Sequence, residues 1–177
     1  MLGGVHVPSK LGLAGHSDAD VLLHALTDAL LGALALPDIG TLFPDTDPKW
    51  KDAPSELMLK GAYKRVKAKG FRLVNADCIL ICDQPKLVPH SVAIRTSLAN
   101  MLGVPPDCIG LQAKTTEGTQ LALKRKSIAA MAIVLVEGDC PRVGTVPKAP
   151  PQGDCPRMGT VPKTARRARA ELSSNPK

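Results

Sequence analysis

Residues 14 to 32 read Ala-Gly-His-Ser-Asp-Ala-Asp-Val-Leu-Leu-His-Ala-Leu-Thr-Asp-Ala-Leu-Leu-Gly, and this stretch decides the fold. Its segment Ser17-Asp-Ala-Asp20 has the S-x-x-D form of a capping box, with aspartate in place of the usual glutamate or glutamine. Strong helix formers follow to about Leu36, and Pro37 lacks the N–H that a continuing helix needs. The sequence therefore predicts a helix that Ser17 caps and that ends near Leu36.

A histidine inside this apolar helix needs an explanation, because a buried imidazole must find a polar partner. Asp20, His24 and Asp28 are spaced four residues apart and so form one stripe along the helix. His16 and Ser17 lie just before the helix, where exposed backbone N–H groups attract anions such as phosphate. Two interpretations stay open: His24 is a metal ligand beside an anion site, or it is a core histidine bonded to Asp20 or Asp28.

The rest of the chain up to residue 137 alternates between helices and strands. Residues 38 to 54 are rich in Pro, Asp, Gly and Thr and predict a long loop. Residues 55 to 69 predict an amphipathic helix that Gly70 ends, and its apolar positions are Leu57, Leu59, Ala62, Tyr63 and Val66. The other predicted elements are a partial strand at the N-terminus, a strand over 71–83, a helix over 92–102, and strands over 108–114 and 128–136. This order predicts an α/β or α+β protein with helices covering one sheet.

The net charge of +7 is distributed unevenly over the 177 residues. Residues 1 to 137 carry 15 basic and 13 acidic side chains, whereas residues 138 to 177 carry 8 and 3. The body has only four aromatic residues on which bases could stack, so nucleic-acid binding is not expected of it. Binding of nucleic acid through the basic tail remains a separate alternative.

The tail contains an internal repeat, in which Gly-Asp-Cys-Pro-Arg-Val-Gly-Thr-Val-Pro-Lys over 138–148 recurs over 153–163 with one substitution. Each copy has too little apolar mass to offset the entropy of ordering, so residues 138 to 177 are predicted to be disordered. Five cysteines without a C-x-x-C pair favour a reducing compartment. No apolar run reaches the length of a membrane span, and no targeting segment is recognised.

Three further segments offer groups for chemistry. Residues 38 to 47 contain carboxylates suited to hydroxyl recognition, or else form solvated turns. Lys86 follows a buried strand, at the sheet edge where ligands commonly bind, or else is an ordinary turn lysine. Residues 114 to 117 read Lys-Thr-Thr-Glu and offer hydroxyl groups and a carboxylate suited to a phosphate-bridging divalent ion.

Together these segments closely resemble the 2-C-methyl-D-erythritol 2,4-cyclodiphosphate synthase family of the non-mevalonate isoprenoid pathway. The resemblance covers residues 2 to 137, and residues 14–32, 38–47, 84–86 and 115–117 carry it. It implies an α+β (α/β sandwich) fold, with a small mixed β-sheet that has helices on one face. It also implies a homotrimer with active sites between neighbouring subunits. The implied domains are a synthase-like domain over 1–137, N-terminally incomplete, and the repeat-containing tail over 138–177.

The reaction implied by the resemblance is intramolecular. The 2-phosphate of 4-diphosphocytidyl-2-C-methyl-D-erythritol 2-phosphate attacks the β-phosphorus, which yields 2-C-methyl-D-erythritol 2,4-cyclodiphosphate and expels CMP. Such a phosphoryl transfer depends on positioning and on neutralisation of developing charge. The partners implied are this small-molecule substrate and two further copies of the chain, without a membrane.

The resemblance assigns roles by position. His16 and Thr115 match residues that steady the pentavalent transition state. His24 matches a zinc ligand, and Glu117 matches the ligand of a second divalent ion, Mg or Mn, that bridges the phosphates. The substrate-binding residues implied, for the diphosphate, the methylerythritol and the cytidine, are His16, Ser17, Asp38, Ile39, Gly40, Phe43, Pro44, Asp45, Thr46, Asp47, Cys82, Asp83, Gln84, Pro85, Lys86, Leu87, Val88, Thr115, Thr116, Glu117 and Lys124.

The sequence departs from the family pattern in three ways. Two of the three zinc ligands belong to a D-x-H motif that would precede Met1, and His6 does not occupy its place. Lys124 and Lys126 stand where the family has an arginine and an acidic residue, which reverses the charge near the trimer axis. The basic tail has no counterpart. A catalytically silent trimer that keeps the cytidine diphosphate pocket is therefore the alternative. The expected location is the bacterial cytoplasm, or the plastid in a plastid-bearing eukaryote.

Overall fold

The computed structural model of the chain describes residues 1–9, 18–50, 53–117 and 127–138. These residues belong to one compact unit, which runs from Met1 to Asp139. Its helices and strands are, in chain order, α1 (Val21–Gly32), α2 (Ile39–Leu42), α3 (Ser55–Ala68), β1 (Phe71–Ile81), α4 (Ser91–Leu102), β2 (Ile109–Lys114) and β3 (Ala129–Gly138). Single turns of 3₁₀-helix, Val88–His90 and Pro106–Cys108, precede α4 and β2.

Helix α1 begins three residues later than the capping box predicts. Its N-cap is Asp20, whose carboxylate accepts a hydrogen bond from the N–H of Leu23 at 3.1 Å. The same carboxylate accepts from the N–H groups of Gly3 at 2.9 Å and Gly4 at 2.8 Å. The prediction that Ser17 caps the helix was wrong, because these contacts with the distant N-terminal turn select Asp20 instead.

The other end of α1 also differs from the prediction. The helix ends at Gly32 rather than near Leu36. The N–H of Leu36 bonds back to the carbonyl of Leu31, and Ala35 has a φ of 50°, so the chain turns before Pro37 is reached. Residues 38 to 50 then form turns and the one-turn helix α2, in agreement with the predicted loop.

The amphipathic helix α3 is confirmed, with Gly70 beyond its end at a φ of 83°. The buried residues of α3 are Ser55, Met58, Leu59, Ala62, Tyr63 and Val66. Leu57 was predicted as an apolar position of this face, but its side chain is 52% exposed. It lies on the opposite side of the helix from the row that begins at Ser55 and Met58, so the periodicity excludes it from the core.

The sheet has three strands in the order β2-β1-β3 and is mixed. Strand β1 pairs in parallel with β2 from Ala76↔Ile109 to Ile81↔Lys114, and helix α4 provides the crossover between them. It pairs antiparallel with β3 from Phe71↔Gly138 to Ile81↔Ala129, with one register shift between Leu73 and Asn75. The predicted strands over 71–83, 108–114 and 128–136 are therefore confirmed.

Helices cover one face of this sheet. The core contains five leucines of α1 and residues of α3, β1 and α4, among them Leu59, Leu80, Ile94 and Leu98. On β3 the alternate side chains Ala130, Ala132, Val134 and Val136 pack against that core. The intervening Met131, Ile133 and Leu135 point to the other face and are 57%, 72% and 56% exposed. The α+β fold, a small mixed sheet with helices on one face, is confirmed.

The N-terminal residues turn rather than continue a strand. Leu2 and Val5 form an isolated bridge around Gly3 and Gly4, which have φ values of 56° and 73°. The prediction of a strand entered partway was wrong here, because the two glycines reverse the chain direction. Among the residues described, none of the helices is both long and apolar enough to cross a membrane. The predictions for the tail after Gly138 concern residues outside those described.

Candidate functional site

The ring of His24 lies beside a serine and near an aspartate. Its Nε2 is 3.4 Å from the Oγ of Ser55, the first residue of α3. This hydroxyl donates a hydrogen bond to Oδ1 of Asp18 at 2.5 Å. Because the hydroxyl proton is directed at Asp18, the Ser55 oxygen can accept from His24 only in the tautomer that carries a proton on Nε2. In that tautomer Nδ1 has the lone pair that a metal ion would use.

Asp18 is an ionised acceptor in this group. Burial alone would raise the pKa of Asp18, but hydrogen bonds from the Ser55 hydroxyl and from the N–H groups of Asp20 and Ser55 outweigh it and hold the pKa below its usual value. The carboxylate therefore joins the residues before α1 to the N-terminus of α3. Sequence analysis missed the contact between Asp18 and Ser55. These two residues are 37 positions apart in the chain, and no motif connects them.

The carboxylates spaced along α1 have separate roles and do not bond His24. Asp20 is fully buried and caps the helix, as described above. Asp28 is exposed, and its Oδ1 accepts a hydrogen bond from the N–H of Ile39 at 2.8 Å. The interpretation of His24 as a core histidine bonded to Asp20 or Asp28 was wrong, because neither carboxylate bonds the His24 ring. Asp28 instead attaches the following loop to α1.

The loop over residues 38 to 50 is attached at two points. Asp38 caps α2, and hydrogen bonds from the Thr41 hydroxyl and N–H lower the pKa of its carboxyl. Phe43 is only 5% exposed and packs with Ala53 and Met58, edge-on to Trp50 at 4.8 Å between ring centroids. The resemblance implied that Phe43 binds substrate, yet the structure places its side chain as a loop anchor. Of the other residues in this segment that the resemblance assigned to the substrate, Asp38, Gly40, Asp45 and Thr46 are exposed, while Ile39, Pro44 and Asp47 are half-buried.

A second group of polar residues lies where the parallel strands β1 and β2 end. The N–H of Cys82 bonds the carbonyl of Lys114 at 2.9 Å, one step beyond the last paired residues. The Cys82 thiol donates to the carbonyl of Gln84 at 2.9 Å. Burial raises the pKa of Cys82, so this thiol stays protonated and shapes the loop over 82–88.

In that loop the Gln84–Pro85 peptide bond is cis, and Leu87 is buried, whereas Lys86 and Val88 are exposed. The Lys86 ammonium group is therefore accessible at the carboxyl edge of the sheet, as the sequence predicted. Charged and polar groups at this edge are suited to an anionic ligand.

The Thr-Thr-Glu segment follows β2 at the same edge. Thr116 is buried and contacts Asp83 through two hydrogen bonds, whereas Thr115 and Glu117 are exposed. The Thr115 hydroxyl donates to Oε1 of Glu117 at 2.6 Å. The structure thus brings residues 82–88 and 115–117 together, as the resemblance implied for the cytidine and phosphate groups of a nucleotide.

The described residues do not form a complete zinc site. Among them, no three His, Cys, Asp or Glu side chains are grouped so as to hold a metal ion. His24 offers one imidazole nitrogen, and zinc usually needs three protein ligands or more. Glu117 fits the second ion better, because Mg²⁺ takes one or two carboxylates and completes its ligands with phosphate and water. His16, Ser17 and Lys124 lie outside the described residues.

The fold and these two polar groups define a small α+β protein whose carboxyl strand edge suits a phosphorylated ligand. The YgbB family model matches residues 1–137, and the chain belongs to that family.

Several similar proteins have the same name. A 2-C-methyl-D-erythritol 2,4-cyclodiphosphate synthase of Dechloromonas aromatica is 51% identical over 137 residues, 77% of this chain and 86% of the relative. The chloroplastic enzyme of that name from Catharanthus roseus is 48% identical over 77% of this chain, which spans 58% of that relative's length. The structure of such a synthase in its CDP-bound form superposes with a TM-score of 0.72 at 46% identity, covering 77% of this chain and 89% of that one.

Proposed function

We propose that this chain converts 4-diphosphocytidyl-2-C-methyl-D-erythritol 2-phosphate to 2-C-methyl-D-erythritol 2,4-cyclodiphosphate and CMP, as a phosphorus–oxygen lyase. One observation carries the proposal. The loop over 82–88 and the Thr-Thr-Glu segment meet at the carboxyl ends of β1 and β2, in a chain 46% identical to a synthase with CDP bound. Ligands of open sheets bind at that edge.

The exposed groups at this edge would each act on the diphosphate. Lys86 places a positive charge there, and the Thr115 hydroxyl is a donor for oxygens that gain charge in the transition state. Glu117 would hold a Mg²⁺ or Mn²⁺ ion, which would neutralise negative charge on the phosphates. His16 and Ser17 are proposed for the same diphosphate by the resemblance alone.

The loop over 38 to 47 would bind the methylerythritol. Its exposed carboxylates, Asp38 and Asp45, are acceptors for sugar-alcohol hydroxyl groups. Asp28 and Phe43 hold the loop at its two ends, so the substrate meets a positioned segment. His24 would contribute one zinc ligand through Nδ1. No step is assigned to zinc, since the described residues do not complete its site.

The working assembly proposed is a homotrimer. The group around His24 and the loop over 38–47 are positioned by α1 and α3, whereas the nucleotide group follows β1 and β2. The resemblance implies that active sites form between neighbouring subunits, with these two groups coming from different copies. The exposed apolar face of Met131, Ile133 and Leu135 supports association, because large apolar patches mark contact surfaces. The proposed domain comprises residues 1–137, and residues 138–177 form a separate tail. The proposed location of the protein is a bacterial cytoplasm or a plastid.

The activity is tested by adding the CDP-linked substrate and Mg²⁺ to the purified full chain. We expect CMP release by chromatography, with a cyclic diphosphate in the phosphorus NMR spectrum. Thr115→Val should slow CMP release without changing the helix content, because it removes only the hydroxyl. An enzyme that binds the substrate and releases no CMP would contradict the proposal.

The second candidate is a catalytically silent protein that keeps the CDP pocket. It is favoured by the surroundings of His24, because the described residues include no group of three His, Cys, Asp or Glu side chains that could hold a metal ion. Zinc content by elemental analysis separates the two candidates. Stoichiometric zinc that falls in His24→Ala supports the enzyme, whereas a zinc-free trimer that binds CDP without turnover supports the silent protein.

A further inference from the structure

Asp83 uses both of its carboxylate oxygens on one residue. Oδ1 accepts a hydrogen bond from the N–H of Thr116 at 2.9 Å, and Oδ2 accepts one from its hydroxyl at 2.6 Å. Thr116 is 8% exposed, and 33 residues separate it from Asp83. Thr116 thus donates two hydrogen bonds, one to each oxygen of Asp83. Such a paired contact fixes both the distance and the orientation of the two segments that carry these residues.

This contact lies where the backbone pairing of the two strands has ended. The last paired residues are Ile81 and Lys114, and the N–H of Cys82 adds one hydrogen bond to the Lys114 carbonyl. Beyond this bond, hydrogen bonds from Thr116 to the Asp83 side chain connect the two segments in place of backbone pairing between strands. This carboxylate therefore attaches residues 115–117 to the loop over 82–88.

The residues on either side of Thr116 are the ones proposed to act on the diphosphate. Thr115 and Glu117 are both exposed, and Glu117 has a φ of 50°, a conformation that residues other than glycine rarely adopt. An exposed segment with such a backbone needs a fixed point to keep one conformation. Buried Thr116 is that fixed point, and Asp83 holds it.

We propose that Asp83 is a positioning residue that holds Thr115 and Glu117 in place by bonding Thr116, and that it does not contact the nucleotide through its charge. The resemblance had placed Asp83 among the cytidine-binding residues. The proposal rests on the proposed function for its effect on turnover, whereas the Asp83–Thr116 contact is measurable without any activity.

The kinetic test compares Asp83→Ala, Asp83→Asn and Asp107→Asn in the full chain. Alanine removes both acceptors, so kcat should fall about 10- to 100-fold, while the Kd for CDP changes less than about threefold. Asparagine can accept from the Thr116 N–H and donate to its hydroxyl oxygen, so it should recover most of the lost rate. Asp107 is an exposed aspartate remote from both loops, and its variant is the matched control.

Hydrogen exchange at the Thr116 amide, followed by NMR, tests the contact itself. Exchange should be slow in the parent chain and in Asp83→Asn, and faster in Asp83→Ala. If the parent chain releases no CMP, the proposed function fails, and the exchange rates still decide whether Asp83 holds Thr116. Unchanged exchange in Asp83→Ala overturns the proposal. So does a loss of CDP affinity as large as the loss of kcat/KM.

A second pair of variants covers a folding failure of Asp83→Ala. Thr116→Val keeps the shape and removes the hydroxyl donor, whereas Thr116→Ser keeps the donor. The serine variant should retain several-fold more activity than the valine variant. Where Asp83→Ala folds, its combination with Thr116→Val should show less than additive effects, because both changes remove the hydrogen bond between the Thr116 hydroxyl and the Asp83 carboxylate. Equal activity of the serine and valine variants overturns the proposal.

Discussion

Asp20 is a fully buried acid whose carboxylate is satisfied by backbone groups of two separate segments. It accepts from the N–H of Leu23 inside α1 and from those of Gly3 and Gly4 in the N-terminal turn. A buried polar group is tolerated when its hydrogen bonds are complete. Asp20 therefore caps α1 and also attaches residues 1–9 to this helix.

Replacing Asp20 tests this double role. Asp20→Ala should lower the free energy of unfolding by about 3 kcal/mol, since it removes a cap and leaves buried N–H groups without partners. Asp20→Asn keeps one carbonyl acceptor and should lose about 1 kcal/mol. Urea unfolding followed by circular dichroism measures both, with exposed Asp107→Ala as the control. A loss no greater than that of the control would show that the turn does not depend on Asp20.

At the scale of elements, the N-termini of α1 and α3 are joined through Asp18 and Ser55. Burial raises the pKa of Asp18 less than its hydrogen bonds lower it, so the pKa is lower in the folded chain than in the unfolded one. A depressed carboxyl pKa stabilises the folded state above the unfolded value, and this stabilisation is lost as pH falls through the folded value. The loss should begin below about pH 4, where unfolded aspartates become protonated.

Thermal unfolding of the parent chain and of Asp18→Asn tests this pH dependence. At pH 7 the parent should have the higher Tm, because only the carboxylate accepts strongly from the Ser55 hydroxyl. The difference in Tm should shrink as pH is lowered from about 4 to about 2.5. A difference that stays constant over this range would mean that Asp18 acts through packing rather than through its charge.

The loop over 38–50 is held against α3 by the aromatic ring of Phe43. Phe43 lies against Gly61, where a Cβ atom would be 3.2 Å from Cζ of the ring, and the Arg65 guanidinium lies 5.2 Å from the ring centroid. Phe43→Ala should lower the free energy of unfolding by about 3 kcal/mol, as for other buried aromatic truncations. It should also raise the KM for the CDP-linked substrate, because the loop loses its fixed end.

The affinity for CDP alone distinguishes this effect from general damage. CDP is proposed to bind at the ends of β1 and β2, so Phe43→Ala should leave its Kd unchanged. Phe43→Leu, which keeps most of the apolar volume, should recover much of the stability and of the KM. Equal weakening of CDP and substrate binding in Phe43→Ala would contradict the separation of the two groups.

The sequence predicted helices and strands correctly where apolar residues recur at a regular spacing and a residue such as glycine ends the element. Gly70 ends α3 and the run of apolar residues in β3 is a strand, as predicted. Other features depend on distant contacts. The N-cap at Asp20, the neighbour of His24 and the contact between Asp83 and Thr116 join residues 16 or more apart in the chain, which no periodicity contains. The site residues were reached through long motifs, whereas the contact between Asp18 and Ser55 joins a residue of one motif to a residue outside it.

At the scale of the whole molecule, the described helices cover one face of the sheet. The side chains of Met131, Ile133 and Leu135 form an exposed apolar row on β3, and the helices pack on the other side. An antiparallel pair with one solvated face normally carries polar residues there. An apolar row in their place is suited to burial against other copies of the chain, as the proposed trimer requires.

A charge in the centre of this row should therefore separate the subunits. Ile133 is 72% exposed in the single chain, so Ile133→Glu leaves the fold intact but would bury an unpaired carboxylate in an assembly. Sedimentation velocity should show a trimer for the parent chain and a monomer for the variant. Leu57→Glu, at an exposed leucine of α3 away from the sheet, is the control and should remain trimeric.

The same variant connects assembly with activity. If the group around His24 and the nucleotide group come from neighbouring copies, monomeric Ile133→Glu should lose CMP release, although neither group is altered within its own subunit. Raising the protein concentration should restore release only in proportion to the trimer formed. A monomer with full activity would place both groups of a working site within one chain, and the apolar row would then need another occupant.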